Sequence, residues 1–294
     1  MTSEQSSKSF KLSNFRHVDG SGDATAYIGF LDRFAAERRE MIDIGIDLLE
    51  LRPGSAILDV GCGHGATIPM LALVVGASGR VVGIEPSLEL MAEARRRFGG
   101  SGLPVEISVG NAQTLNYPDA TFDAARTDRV LVFVPDVRAA LLELVRVTKP
   151  GGRVVVTEPD MAAAIADSSD QATTREVLAS VCGEFQNPYL GRQLRSLFRD
   201  AGLKDAEARI FSATHTNFAI WKERMGIDEA LRTAIESGRV STRSGEAWLN
   251  DLHDRDASGR FFAANMLCMV SGTKPKKVEG VTLAGSSNDL PALS

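Results

Sequence analysis

Short runs of consecutive apolar residues alternate with longer stretches whose apolar positions recur every three or four residues, the signature of strands and helices taking turns. Residues 56–60 form one such run, entered from Arg52-Pro53-Gly54, and residues 66–75 follow as an apolar segment of helical length. Residues 80–85 predict a second strand and residues 105–112 a third with its turn. Residues 121–128 predict a fourth strand, although its apolar content is thin. Leu141, Leu144, Val145 and Thr148 share a helix face that Lys149-Pro150-Gly151-Gly152 stops, and residues 153–158 return to the sheet.

Upstream, Tyr27, Phe30, Leu31 and Phe34 recur at helical spacing, with Met41, Ile42, Ile44, Leu48 and Leu49 on the turns that follow. This is an amphipathic helical region. Downstream, helices are predicted around 174–182 and 190–201, a strand and its exit over 210–218, helices near 228–237 and 244–253, and a closing strand over 260–272. The polar residues 1–13 and the Lys, Pro, Gly and Ser-rich residues 273–294 are expected to be disordered. Residues 14–272 then make one domain, with lid helices over 14–50 and cap insertions over 160–208 and 217–260.

Chemistry concentrates where the first strand ends. Asp59 is followed by Gly61, Cys62, Gly63, His64 and Gly65, so three alternate glycines join a strand to a helix. Such glycines tolerate positive φ and remove Cβ atoms that would hold a ligand off the backbone. The helix start behind them has unpaired N–H groups, suited to an anionic or zwitterionic ligand. The dinucleotide fingerprint G-x-G-x-x-G is spaced more widely, which favours S-adenosylmethionine over NAD. Glu85 ends the second strand where an acidic residue can accept both hydroxyls of a ribose.

The run Leu58-Asp59-Val60-Gly61-Cys62-Gly63-His64-Gly65 resembles that of the class I S-adenosylmethionine-dependent methyltransferases, in particular the ubiquinone and menaquinone biosynthesis branch. Gly83-Ile84-Glu85-Pro86-Ser87, Gly110-Asn111-Ala112, Phe122-Asp123, Val130-Leu131, Val134-Pro135-Asp136 and Lys149-Pro150-Gly151-Gly152-Arg153 extend the likeness in order, over residues 24–160. The resemblance implies an α/β fold, an open, doubly wound, mostly parallel seven-stranded sheet with N-terminal lid helices and a helical cap. It implies that Asp59 and the glycine loop, with Cys62 and His64, hold the methionine end of S-adenosylmethionine, Glu85 and Pro86 the ribose, and Asn111 and Ala112 the adenine edge. Asp128, Arg129 and Val130 would lie by the sulfonium, and Tyr27 would contact the cofactor from the lid. Asn111 stands where the family commonly has Asp, and its carbonyl can accept the same bond.

The later inserts would roof the open end of the sheet, so substrate choice is expected there. Phe185, Tyr189, Phe211, Phe218 and Trp221 could line an apolar pocket for a flat small molecule. Methyl transfer needs a base only where the acceptor must lose a proton; the candidates are Glu158 and Asp160 at the end of the fifth strand, and His17 before the lid. A lone histidine is more often a packing residue than a catalyst. The expected activity is transfer of a methyl group to carbon, nitrogen or oxygen of a small aromatic or apolar metabolite of secondary or quinone-like metabolism, releasing S-adenosylhomocysteine. An NAD-dependent oxidoreductase and a non-catalytic S-adenosylmethionine-binding protein are the alternatives.

Composition narrows the partners. A net charge of −5 with interspersed signs offers no basic stripe for nucleic acid. No apolar stretch approaches a membrane span, and no ligand-spaced His, Cys or carboxylate pair suggests a metal. Three scattered cysteines and no secretory leader predict free thiols and a cytoplasmic location. Homo-oligomerisation is left open.

Overall fold

The computed structural model describes Ser13, Phe15, Val18–Ser21 and residues 24–276. The elements run α1 (Val18–Ser21), α2 (Ala24–Glu37), α3 (Arg39–Asp47), β1 (Ala56–Val60), α4 (Ile68–Val75), β2 (Arg80–Glu85), α5 (Leu88–Phe98), β3 (Val105–Val109) and β4 (Phe122–Asp128). They continue as a 3-10 turn (Leu131–Phe133), α6 (Val137–Val147), β5 (Thr148–Ala166), α7 (Gln171–Gly183), α8 (Leu190–Asp200), β6 (Lys204–His215), α9 (Phe218–Met225), α10 (Ile227–Glu236), α11 (Thr242–Ala257) and β7 (Ala263–Thr273).

One seven-stranded sheet has the order β3-β2-β1-β4-β5-β7-β6, parallel except that β7 is antiparallel to both β5 and β6. The order reverses between β1 and β4, and the crevice of an open α/β sheet forms there, at the carboxyl ends of the strands. Alternate residues face opposite layers. Leu58, Val60, Val82 and Ile84 pack with α6 and α8, whereas Ile57, Val81, Ala124 and Val155 pack with α3 and α4. Strand β4 is held by neighbours rather than by propensity: Ala124 and Ala125 pair with β1 and with β5.

Helix starts follow local capping chemistry. Ser87, Asp136, Asp170, Asn217 and Ser241 each accept a backbone N–H of the helix they precede, α5, α6, α7, α9 and α11 respectively.

The cap boundaries differ from the sequence expectation. Helix α8 is a layer of the core, because Leu190, Leu194 and Phe198 pack against the sheet. The cap proper is α7 with α9, α10 and α11, which enclose a hydrophobic core of their own around Trp221 and Trp248. The extended ends of β5 and β7 carry it, paired at Ile165 with Ala264 and at Ala166 with Ala263. Helix α9 is an element that the sequence does not predict; the expected strand and its exit end at Phe218, where the helix begins. The closing strand reaches Thr273, paired with Arg153 and Lys204, so the expected tail starts inside it. The rest of the two expected disordered ends lies almost wholly outside the described residues.

Candidate functional site

The tips of β1 and β2 form one unit. Gly61 and Cys62 donate their N–H groups to the carbonyl of Ile84 at 2.7 and 3.0 Å. Gly63 donates to Glu85 Oε2 at 2.9 Å, and Ser87 donates its N–H to Glu85 Oε1 at 3.0 Å. Gly61 has φ +71°, and a Cβ there would fall inside the Val130 side chain. A Cβ on Gly63, at φ +56°, would meet only Leu31, at 3.4 Å. Glycine is required at the first for want of space and at both by conformation.

A cavity of about 380 Å³ opens over these tips. Asp59, Gly61, Cys62, Gly63, His64, Glu85, Pro86, Asn111, Ala112, Asp128, Arg129 and Val130, which the resemblance assigns to the cofactor, all line it. Gly65 does not; its turn packs on Phe98, where a Cβ would collide with the ring. Asn111 Oδ1 accepts the Gln113 N–H at 2.8 Å, which fixes the turn it stands in.

Buried charge runs through the floor. Asp59 accepts from Thr67 Oγ1 at 3.1 Å and faces Arg126 Nε at 3.6 Å. Arg126 reaches Asp128 at 3.3 Å, and among the described residues its buried Nη1 has no partner. Burial pushes the Asp59 carboxyl up, against the pull of Arg126. Burial likewise lifts Glu85 to about 7, opposed by the N–H groups of Ser87 and Gly63. Arg129 has φ +57°, a conformation that non-glycine residues adopt mostly where surroundings enforce it. Here its N–H is tied to Thr157 O at 2.7 Å and its guanidinium lies 3.4 Å from the Phe34 ring centroid.

Helix α2 closes the cavity from above. His64 Nε2 lies 2.7 Å from Asp32 Oδ1, and Asp32 also accepts from Arg97 at 2.9 and 3.0 Å. Arg97 holds the Asp32 carboxyl well below its ordinary value, and burial lowers His64, leaving the imidazole neutral near pH 7. The lid is thereby fastened to the glycine loop and to α5.

Several predicted site residues sit elsewhere. Tyr27 is buried away from the cavity, edge-to-face with Phe15 at 4.9 Å, and Phe15 supplies the ring that reaches it. Glu158 is fully buried and caps the 3-10 turn, accepting the N–H groups of Val130, Leu131 and Val132 at 3.0, 2.7 and 3.2 Å. Asp160 is also buried, paired with Arg192. His17 lies outside the described residues. Of the five proposed pocket aromatics only Phe185 lines the cavity. Phe218 and Trp221 are core residues of the cap, Phe211 packs against the sheet layer of α3, and Tyr189 is half exposed beneath Arg192.

The wall residues missed by the sequence analysis include Phe30 and Phe34 on α2, Arg38 just after it, Arg126 on β4, Phe133, Met161, His215, Arg224 and Asn265. The apolar stripe of α2 was visible as a periodicity. Convergence of the polar members from five segments had no local signal.

Among the described residues no group of three or more His, Cys, Asp or Glu could hold a metal, and no helix is long and apolar enough to cross a membrane. Cys62, Cys182 and Cys268 are free and buried.

A backbone cradle, an acid at the tip of the next strand and a switch in strand order define a nucleoside-binding α/β enzyme. Known proteins narrow the class. Residues 58–156 match the methyltransferase domain family. An uncharacterized methyltransferase of Schizosaccharomyces pombe is 36% identical over 228 residues, 70% of this chain and 80% of that protein. A demethylmenaquinone methyltransferase of Bacillus mycoides is 28% identical over 214 residues, 67% of this chain and 89% of that protein. The crystal structure of YcgJ from Bacillus subtilis shares the fold at a TM-score of 0.59 and 18% identity, covering 81% of this chain and 99% of that one. The chain belongs to the class I S-adenosylmethionine-dependent methyltransferases, and S-adenosylmethionine is its cofactor.

Proposed function

We propose that this enzyme methylates a small, largely apolar metabolite, of the quinone-like or secondary-metabolite kind, held at the cap end of the cavity. The carrying observation is continuity: one cavity runs from the β1 and β2 tips to a wall of Phe15, Phe30, Phe34, Phe133 and Phe185. The demethylmenaquinone relative lends the same direction.

The residues present fit the cofactor. Glu85 spends one acceptor site of each oxygen on the protein and has the rest to offer a diol. Asp59, the backbone at Gly63, which carries no side chain, and Nη1 of Arg126, without a partner among the described residues, suit the amino and carboxylate groups of a methionine end. Ala112 and the turn at Asn111 suit the adenine edge, with Asp128, Arg129 and Val130 near the sulfur. Bound there, S-adenosylmethionine supplies an activated methyl group. The protein's share is to align the acceptor, with reacting atoms about 3 to 3.5 Å apart, and to exclude water under α2.

Purified protein incubated with methyl-tritiated S-adenosylmethionine and a fractionated metabolite extract is expected to yield labelled organic-soluble product. Binding of S-adenosylhomocysteine with no labelled product in any fraction would leave a nucleoside-binding protein without the activity. Micromolar NAD binding with no S-adenosylhomocysteine binding would overturn the cofactor roles. Asn111→Asp, which keeps an acceptor for the Gln113 N–H, is expected to change S-adenosylhomocysteine affinity less than about tenfold, or roughly 1.4 kcal/mol. A larger loss in calorimetry would remove Asn111 from the adenine edge.

A further inference from the structure

The far end of the cavity is cationic, in a protein whose formal net charge is −5. Arg38 between α2 and α3, Arg129 after β4 and Arg224 on α9 converge there. The guanidinium carbons of Arg38 and Arg129 lie 4.0 and 3.4 Å from the Phe34 ring centroid, and that of Arg224 lies 5.6 Å from the Phe30 centroid. Their side chains are only 13%, 21% and 12% exposed respectively.

Carboxylates do not match them in number. Glu37 serves both Arg224, at 3.0 and 3.1 Å, and Arg38, at 3.2 Å. It stands behind the wall, half exposed, and is not part of the cavity lining. Arg129 has Asp128 at 3.0 Å, which Arg126 shares. Three guanidiniums thus face one carboxylate of their own and part of a second. Arg38 donates only through Nη1; among the described residues its Nε and Nη2 have no protein acceptor.

Among the described residues no further carboxylate forms an ion pair with Arg38, Arg129 or Arg224. His215, at the end of β6, is lowered by burial and by Arg224 and Arg38, and stays neutral beside Asn265 of β7. A partly buried, under-paired guanidinium is costly unless an anion completes it, and carboxylate matches its planar fork.

We propose that the methyl acceptor is an organic acid, an apolar or flat molecule whose carboxylate is received by Arg38 and Arg224 while its body lies against Phe133 and Phe185. This rests on the cap-end acceptor site proposed above and adds the acid group to it.

Calorimetry on the full chain saturated with S-adenosylhomocysteine tests it with three probe pairs: 3-hydroxybenzoate, 1-hydroxy-2-naphthoate and octanoate, each against its primary amide. At least one acid is expected to bind at least about tenfold tighter than its amide, a gap of roughly 1.4 kcal/mol. Arg38→Gln and Arg224→Gln should each remove most of that preference and leave S-adenosylhomocysteine affinity in place, and Arg38→Lys should retain part of it. The comparison in the unmodified protein stands even where a variant does not fold. Acids that bind no better than amides, including no binding by any probe, would overturn the proposal, as would a preference that survives both glutamine variants. Failure of S-adenosylhomocysteine itself to bind would instead strike at the cofactor site.

Discussion

Glu85→Ala is expected to weaken S-adenosylhomocysteine binding by about 1.5–3 kcal/mol, the range for a hydrogen bond to a charged group, or roughly tenfold to a hundredfold. The loss has two sources. The carboxylate would no longer accept from a ribose diol, and the N–H groups of Gly63 and Ser87 that it collects would be released, loosening the loop. The same residue gives the affinity a pH dependence. In the ligand-free protein burial lifts Glu85 to about 7, whereas a diol is best received by the ionised form. Affinity should fall up to about tenfold per unit as pH drops below about 7 and level off above it, and Glu85→Gln should flatten the curve. Stability of the ligand-free fold has the opposite trend. Unfolded chains release this proton near the ordinary carboxyl value while the folded protein still holds it, so the contribution is full below about 4.5 and is lost as pH climbs towards 7. Titration calorimetry from about pH 5.5 to 8.5 checks the first trend, and a flat profile in the unmodified protein would remove Glu85 from ribose recognition.

What the sequence disclosed about the site is what backbone geometry alone dictates. Gly61 and Gly63 are legible because few other residues hold positive φ at a strand tip, and Glu85 because it ends a buried strand 22 positions after Gly63. Strands β1 and β2 announce themselves as continuous apolar runs, buried on both faces. Strand β4, Phe-Asp-Ala-Ala-Arg-Thr-Asp, does not, since pairing on both edges overrides a weak local preference. Glu158 shows where inference from a strand end stops. The sequence places it at the end of the fifth strand, but β5 runs on to Ala166, and the three N–H groups of the adjacent turn take both its oxygens. Burial pushes its carboxyl up to about 8 against those donors, without giving it access to the cavity. The acceptor end was illegible for another reason. Arg38, Arg129, Arg224 and His215 meet only when α2, β4, β6 and α9 are assembled, and nothing in their spacing along the chain announces it.

Trp221→Ala is expected to cost about 3–5 kcal/mol of stability, as for large aromatic truncations in a core, with S-adenosylhomocysteine affinity left near that of the unmodified protein. The aromatic content around position 221 suggested a substrate pocket, but Trp221 is wholly buried, with Phe261 at 5.7 Å and Phe218 at 6.3 Å between centroids. Helices α7, α9, α10 and α11 form the cap around it, with Val177, Val181, Ala230 and Leu252 in the same core. Among the described residues its buried Nε1 has no partner, so truncation also removes an unsatisfied donor, and the lower half of the range is favoured. Trp221→Phe follows from the same point. It retains most of the ring volume and deletes the orphan N–H, so a cost below about 1.5 kcal/mol is expected. The chain has two tryptophans, and the other, Trp248, donates Nε1 to Thr174 Oγ1 at 2.8 Å inside the same core. Urea unfolding followed by Trp248 fluorescence therefore isolates the cap, while far-ultraviolet circular dichroism follows the whole chain. A Trp221→Ala protein with an unshifted fluorescence midpoint and impaired methyl-acceptor turnover would move Trp221 from the cap core to the cavity wall.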